Sequence, residues 1–157
     1  TVTVLDADKT QHKVRVAGID APEKAQPFGQ RAKQRMSTLV FGKEVRLEGD
    51  KRDRYGRTVA KVWVSPPYCQ RCPKTLDAGL AVLTSGLAWH YKKYQTEQSP
   101  EDRERYAFAE DAARTKRVGL WDDTNPAPPW EWRKSRRSGS EQNANRQRQK
   151  ERGRSSP

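Results

Sequence analysis

Apolar residues with a clear helix or strand periodicity cluster in the first 121 or so residues of this 157-residue chain. Five short segments alternate apolar and polar residues as β-strands do, and three longer segments repeat apolar residues as amphipathic helices do. Strands and helices are interleaved along the chain. A small closed sheet with helices packed on its outside fits that order, and an OB-type barrel is one such fold. The sequence therefore predicts an α+β protein, a five-stranded OB-type β-barrel with three helices over residues 1–121.

The third helix has the clearest start signal. Ser99 is suited to the N-cap, Pro100 to the first helical position, and Asp102 supplies an acidic residue in the first turn. After this helix, Leu120 and Trp121 are predicted to pack back onto the core. The predicted strands are residues 1–5, 14–19, 45–48, 58–64 and 87–91, and the predicted helices are about 29–40, 75–85 and 100–117.

The composition changes after residue 121. Residues 122–132 form an extension rich in proline and tryptophan, and because proline disrupts helices and strands we expect no regular structure there. Residues 131–157 contain nine Lys and Arg against three Asp and Glu, a net charge of +6, which is half of the formal +12 of the whole chain. From residue 133 onward Ala144 is the one apolar residue. We therefore expect residues 133–157 to be a disordered basic tail.

The charge of the chain favours an anionic partner. A net charge of +12 and a pI of about 10.0 suit either nucleic acid or an anionic membrane. No apolar run approaches the roughly 20 residues that span a bilayer, and the tail lacks the apolar face of a membrane-surface helix. Nucleic acid is therefore the expected partner. No secretory leader is visible, and because the chain opens directly in strand-like sequence we interpret its start as processed or trimmed.

The two cysteines, Cys69 and Cys72, lie in the sequence C-Q-R-C among several prolines. A zinc site needs about four ligands, and the two histidines are distant in sequence. A thioredoxin-like redox pair would open a helix, whereas the prolines indicate a loop. A disulfide that closes this loop in an oxidising compartment is the favoured interpretation, and two free thiols are the alternative.

Three groups of charged and aromatic residues lie in polar turns or at strand ends. They are R-V-A-G-I-D-A-P-E at 15–23, D-R-Y-G-R at 53–57 and W-H-Y-K-K-Y at 89–94. Together they offer carboxylate oxygens for a hard cation, a glutamate that can act as a base, arginine forks for phosphoryl oxygens and tyrosine faces for stacking. Each group alone is also typical of a solvated turn. Composition alone therefore favours a nucleic-acid-binding protein without activity over a nuclease.

The strings R-V-A-G-I-D-A-P-E, D-R-Y-G-R and G-L-A-W-H-Y, in this order and with G-L-W after a charged helix, resemble the staphylococcal nuclease family over about residues 1–121. The resemblance implies an OB barrel of five strands with three helices. It also implies calcium-dependent hydrolysis of DNA and RNA with little sequence preference, leaving 3′-phosphate ends. The segment 122–132 resembles an extension of bacterial secreted or plasmid-borne members, which implies a periplasmic or secreted protein. No protein partner is implied, and a monomer is expected.

The resemblance also implies roles for individual residues. Arg15 and Arg57 stand at the two arginines that bind the reacting phosphate, and Glu23 stands at the proposed general base. Asp20 stands at a calcium ligand, and Ala21 would offer its backbone carbonyl to the same ion.

Four further residues match substrate-binding positions of the family. Arg54 and Tyr55 correspond to a basic and aromatic pair on the terminal phosphate. Tyr91 and Tyr94 lie near the tyrosines of the nucleotide pocket, with a spacing that differs by one residue.

One departure concerns the first strand. The family opens this strand with D-G-D-T-V, in which the second Asp is a calcium ligand. Here the match starts at Thr1, so we expect that Asp directly before Thr1. Asp6 and Asp8 lie in a hairpin turn and are expected to be solvated.

The alternative function is a catalytically silent OB module that only binds nucleic acid. Silent repeats of the family typically lack the two arginines and the glutamate. This sequence has Arg15, Arg57 and Glu23, so the resemblance favours the enzyme.

Overall fold

The computed structural model describes residues 1–140. They form a first compact unit, Thr1–Pro126, and part of a second that begins at Ala127. The strands of the first unit are β1 Val2–Leu5, β2 Gln11–Val16, β3 Ile19–Asp20, β4 Arg46–Glu48, β5 Thr58–Val64, β6 Leu76–Asp77 and β7 Trp89–His90. Its helices are α1 Gly29–Val40, α2 Ala78–Thr84 and α3 Pro100–Thr115, with 3₁₀ helices at Lys92–Glu97 and Gly119–Asp122. A further helix, α4, covers residues 129–140 in the second unit.

The strands form a curled five-stranded sheet and a small second sheet. The order is β1-β2-β5-β4, and β6 also pairs with β5. β2 and β5 are parallel, while β1 with β2 and β4 with β5 are antiparallel. β3 and β7 form a separate two-stranded antiparallel sheet. The chain is thus an α+β protein with an OB-type fold, as the sequence predicts.

The core of the first unit follows the strand alternation. In β5, Ala60, Val62 and Val64 are buried, whereas the residues between them are partly exposed. This pattern arises because successive side chains of a strand point to opposite faces. α1, α2 and α3 cover the buried face with Leu39, Leu83 and Tyr106 among other residues.

A buried hydrogen bond fixes α2 relative to α3. The Tyr106 hydroxyl donates to Asp77 Oδ2 at 2.6 Å, and Asp77 also caps α2 by accepting from the Leu80 N–H at 3.1 Å. Burial, followed by the charge of Asp77, raises the pKa of Tyr106. The predicted helix 75–85 was therefore wrong in its first turn. Leu76 and Asp77 pair with β5, and the helix begins only after its N-cap.

The predicted strand 14–19 also differs from the structure. β2 begins earlier, at Gln11, and ends at Val16. Gly18, with φ of 75°, turns the chain before β3 resumes at Ile19. This turn lets the acidic segment that follows leave the main sheet and pair with β7 instead.

Regular structure continues beyond the point at which the sequence predicted the tail to begin. Pro129 is the first residue of α4, a position where its missing N–H costs no hydrogen bond, and the N–H groups of Glu131 and Trp132 donate to the Pro128 carbonyl. Residues 129–140 are thus helical, and the prediction that the extension 122–132 has no regular structure was wrong for its last four residues. Residues 141–157, the rest of the predicted disordered tail, lie outside the described residues.

The cysteine loop joins β5 to β6. Cys69 and Cys72 form a disulfide in the structure, and the Ser65 hydroxyl donates to the Cys72 carbonyl. Tyr68 is exposed beside it. Among residues 1–140, no helix combines the length and the apolar character that crossing a bilayer requires.

Candidate functional site

The strand register brings two predicted site segments together. Val14 of β2 lies opposite Val2 of β1 and opposite Thr58 of β5. Neighbouring strands lie about 4.8 Å apart, so the residues adjoining this register position meet at one place on the sheet. Thr1, Arg15 and Arg57 are those residues.

The amino group of Thr1 marks where the charged residues converge. Thr1 as a residue is exposed, yet burial of its amino group is the largest cause that lowers the pKa of this group, followed by the positive charges of Arg57 and Arg15. The carboxylates of Asp20 and Glu23 act in the opposite direction. Two arginines and two acids therefore lie within electrostatic range of one point.

Arg57 is held by a fork of contacts to Asp53. Its Nε donates to Asp53 Oδ2 at 2.8 Å, and a second guanidinium nitrogen lies 2.7 Å from the same oxygen. Asp53 Oδ1 accepts from the backbone N–H groups of Tyr55 and Arg57. The remaining terminal nitrogen of Arg57 donates to Thr1 Oγ1 at 2.9 Å. One carboxylate thus organises both the turn and the guanidinium.

Tyr55 extends this group outward. Its ring is contacted by two guanidinium groups, with centroid distances of 4.8 Å for Arg54 and 5.4 Å for Arg57. Arg54 also donates to the Tyr55 hydroxyl at 2.6 Å. Tyr55 is 63% exposed and Arg54 is exposed as well, so both side chains are open to a ligand.

Arg15 is bordered by two tyrosine rings. Its guanidinium carbon lies 5.1 Å from the Tyr91 centroid and 4.9 Å from the Tyr94 centroid, within cation–π range. The two rings themselves meet edge to face at 5.1 Å. Tyr91 reaches this place because its N–H donates to the Gly18 carbonyl, at the end of the β3–β7 pair.

The acidic turn after β3 is fixed by its backbone. Pro22 is buried, and the Glu23 N–H donates to the side chain of buried Gln26 at 3.1 Å. The Gln26 N–H in turn donates to the Glu23 carbonyl at 2.8 Å. The start of α1 packs so closely on this carbonyl that a Cβ at Gly29 would lie 1.9 Å from it. Glycine is therefore required where α1 meets the turn.

The oxygen atoms of the acidic turn are of the type that a hard cation prefers, but they are too few to complete its coordination. Asp20 and Glu23 carry carboxylates, and the backbone carbonyl of Ala21 lies between them in sequence. Calcium takes six to eight oxygen ligands. Within residues 1–140, however, no three acidic, histidine or cysteine side chains gather as a metal-binding group. The oxygen atoms of the described residues therefore do not form a complete set of ligands for such an ion.

The structure therefore brings the first two predicted groups and the tyrosines of the third into one site. Sequence reasoning missed three residues that position it: Asp53, Gln26 and Gly29. Asp53 carried a readable signal, because Asp at the first position of a turn and Gly at the fourth, as in D-R-Y-G, is typical of a side chain that hydrogen-bonds the turn backbone. Gln26 and Gly29 show no such signal, since their roles depend on how α1 approaches Glu23.

The structure defines an OB-type protein in which arginines and carboxylates converge at the end of one strand. Comparison with known proteins identifies the family. Residues 13–123 match the model of the staphylococcal nuclease homologue family. The chain belongs to this family.

Three relatives illustrate the similarity. Protein ParB of Escherichia coli is 40% identical over 134 residues, which cover 85% of this chain and 73% of ParB. Micrococcal nuclease of Shigella flexneri is 36% identical over 146 residues, 88% of this chain and 82% of the relative. An uncharacterized endonuclease of Haemophilus influenzae is 40% identical over 134 residues, 85% of this chain and 67% of the relative.

Proposed function

We propose that the protein is a calcium-dependent nuclease that hydrolyses phosphodiester bonds of DNA and RNA with little sequence preference and leaves 3′-phosphate ends. The observation that carries this proposal is the convergence of two arginines and two carboxylates around the amino group of Thr1. Membership of the staphylococcal nuclease homologue family and similarity to a micrococcal nuclease support it.

The two arginines are the proposed phosphate-binding groups. Guanidinium forks match phosphoryl oxygens, and fixed positive charge stabilises the negative charge that develops in the transition state. Arg57 is held in place by Asp53, and Arg15 by the rings of Tyr91 and Tyr94. Little reorganisation is then needed when a phosphate enters.

Glu23 is the proposed general base. Its carboxylate would take a proton from the water that attacks phosphorus, while the arginines hold the phosphoryl oxygens. The hydrogen bonds of the Glu23 backbone with Gln26 fix the turn from which this carboxylate extends.

Asp20 and the Ala21 carbonyl are the proposed protein ligands of calcium. When bound, the ion would add fixed positive charge beside the phosphate. Waters and a carboxylate directly before Thr1 would supply further oxygens, because the described residues alone do not provide a full set.

Two aromatic groups are proposed to hold the nucleotides on either side of the scissile bond. Arg54 and Tyr55 would contact a terminal phosphate, and Tyr91 and Tyr94 would border a nucleotide. Stacking and phosphate contacts of this kind tolerate any base, which accounts for the proposed lack of sequence preference.

The test is cleavage of single-stranded DNA and RNA by the full chain in calcium, in magnesium alone and in chelator. We expect cleavage in calcium and no cleavage in magnesium alone or in chelator. Glu23→Gln should lower kcat by orders of magnitude with little change in nucleotide affinity, because a base acts in the transition state. Glu104→Gln, which changes an exposed acid of α3, is the matched control. Nucleic-acid binding without any cutting would establish the silent module instead, and cutting in chelator would exclude the metal.

We also propose that the protein works as a monomer in the periplasm or outside the cell. The disulfide between Cys69 and Cys72 supports an oxidising compartment. Free-thiol titration of protein that has been unfolded without reductant tests this, and two reactive thiols would contradict it.

A further inference from the structure

Helix α4 of the second unit is rich in basic residues, and none of them belongs to the candidate site described above. In residues 1–126, 23 Lys and Arg stand against 17 Asp and Glu, whereas residues 127–157 have nine against three. Of the residues in α4, residues 129–140, Glu131 is the one acid, while Arg133, Lys134, Arg136 and Arg137 are basic. The positive charge of α4 is therefore concentrated over five positions, residues 133–137.

These four cations share one side of α4. At about 100° per residue, they fall within an arc of about 160°, and Glu131 falls outside it. The pairs Arg133 and Arg137, and Lys134 and Arg137, are four and three residues apart, so like charges are neighbours on the helix surface. Such neighbours repel one another, and an anion lying along the arc would remove that repulsion.

The three cations at the centre of the argument are available to a partner. Lys134, Arg136 and Arg137 are exposed. In the part of the chain that the structure describes, none of their side chains forms an ion pair or a hydrogen bond. This contrasts with the first unit, where cations such as Arg57 and Lys61 are paired with Asp53 and Asp102.

The chemistry of α4 favours nucleic acid over a membrane. A membrane-surface helix needs an apolar face opposite its basic face. Opposite the arc, α4 has Glu131, Ser135 and Ser138, and its larger apolar side chains are confined to the first turn. A phosphate backbone, in contrast, needs only a row of exposed cations.

We propose that the Lys134, Arg136 and Arg137 side of α4 is a second nucleic-acid-binding surface, which holds the phosphate backbone without reading sequence. Because α4 belongs to the same chain as the first unit, a polynucleotide held there is kept at a high local concentration around the site. Short substrates that cannot reach both surfaces gain nothing from it.

The test is salt-dependent binding of a fluorescent 40-nucleotide oligothymidylate to the full chain in a Glu23→Gln background. Each lost phosphate contact should make the slope of log K against log salt shallower by about 0.7 for a single strand. The triple variant Lys134→Gln, Arg136→Gln, Arg137→Gln should therefore lose about two from the slope and about tenfold to a hundredfold in affinity at 100 mM salt.

The matched control removes three exposed cations elsewhere, as Lys33→Gln, Arg105→Gln and Lys116→Gln. It should keep the slope and bind within about twofold of the parent protein, because screening limits the reach of a surface charge to roughly 10 Å. A charge-retaining variant, Arg136→Lys with Arg137→Lys, should also keep the slope. Equal losses in the triple variant and the control would overturn the proposal.

Vesicles containing phosphatidylserine separate the two kinds of anionic partner. If the triple variant lost vesicle binding but kept its affinity for the oligonucleotide, α4 would be a membrane surface and the proposal would be wrong. Binding is measured without turnover, so a protein that failed to cut nucleic acid would leave this test unaffected.

Discussion

Asp53 is the residue on which the position of Arg57 depends. Its two oxygens accept from the guanidinium and from two backbone N–H groups of the same turn. Asp53→Asn keeps one acceptor oxygen but loses the charge that attracts Arg57. We expect kcat/KM to fall about 10- to 100-fold, because a misplaced guanidinium stabilises the transition state less well. Asp8→Asn, at an exposed hairpin residue, should have no effect, and equal turnover in both variants would contradict this role.

The same substitution should have a pH signature in stability. Partial burial alone would raise the pKa of Asp53, but the hydrogen bonds from Arg57 and the turn backbone outweigh it and hold the pKa below its usual value. A lowered folded pKa stabilises the protein above the ordinary Asp value of about 3.9 and ceases to do so as the pH falls through the folded value. Melting curves should therefore show a constant difference between wild type and Asp53→Asn from neutral pH to about 5, and a shrinking difference below about 4.

A further prediction at the scale of one residue concerns the position directly before Thr1. Its hydroxyl accepts from Arg57, and its amino group lies among Arg15, Asp20 and Glu23. A residue placed directly before Thr1 would enter the site, where an Asp would add a carboxylate to an incomplete oxygen set. Calorimetry should show at least tenfold tighter calcium binding for a chain extended by Asp than for one extended by Asn. Equal affinities would mean that another acid, such as Asp6 or Asp8, completes the site.

At the scale of elements, α1 and the acidic turn depend on Gly29. By helix propensity alone, Gly29→Ala should stabilise the protein by about 1 kcal/mol. A Cβ there would instead lie 1.9 Å from the Glu23 carbonyl, so the turn or the helix must move. We expect a loss of stability of about 1–3 kcal/mol and a loss of turnover that exceeds tenfold.

Gly139 provides the control for Gly29. It also lies in a helix, but nothing is within 4 Å of the Cβ that alanine would add. Gly139→Ala should be neutral or slightly stabilising in urea unfolding and should leave turnover unchanged. If Gly29→Ala behaved in the same way, the packing of α1 on Glu23 would have no role in catalysis.

The elements also show which parts of the fold can be predicted from sequence. β5 and the start of α3 agree with their predicted positions, because strand alternation and an N-cap followed by proline are local signals. β6 and β3 were missed as separate strands. Each has two residues and exists only because a distant strand pairs with it.

The candidate site also has features that could be predicted from the sequence and features that could not. The motifs 15–23 and 53–57 could be found in the sequence because their charged residues are close together in the chain. Their convergence could not be derived from periodicity, since it depends on the parallel pairing of β2 with β5. The contact of Arg15 with Tyr91 depends likewise on the pairing of β3 with β7.

At the scale of the whole molecule, the positive net charge is shared equally by two parts of the chain that differ in length. Residues 1–126 and 127–157 each carry +6, although the second part has about a fifth of the residues. In the first part, ion pairs such as Lys61 with Asp102 use cations to hold the fold. Under the proposal above, the positive charge of α4 in the second part acts on nucleic acid, over a distance that salt screening limits.

Removal of residues 131–157 separates these two uses of charge. It deletes a net charge of +6, while the buried apolar cluster of the first unit stays complete, since its members lie between Val14 and Trp121. We expect the truncated protein to fold and to cleave dinucleotides at the parent rate. Its affinity for long polynucleotides should fall and depend less steeply on salt, because fewer counterions are released on binding.

Thermal melting, dinucleotide turnover and salt titration with a long single strand test these three expectations separately. Loss of folding would show that residues such as Trp132 stabilise the first unit, and an unchanged salt slope would show that the charge beyond residue 130 makes no contact with nucleic acid.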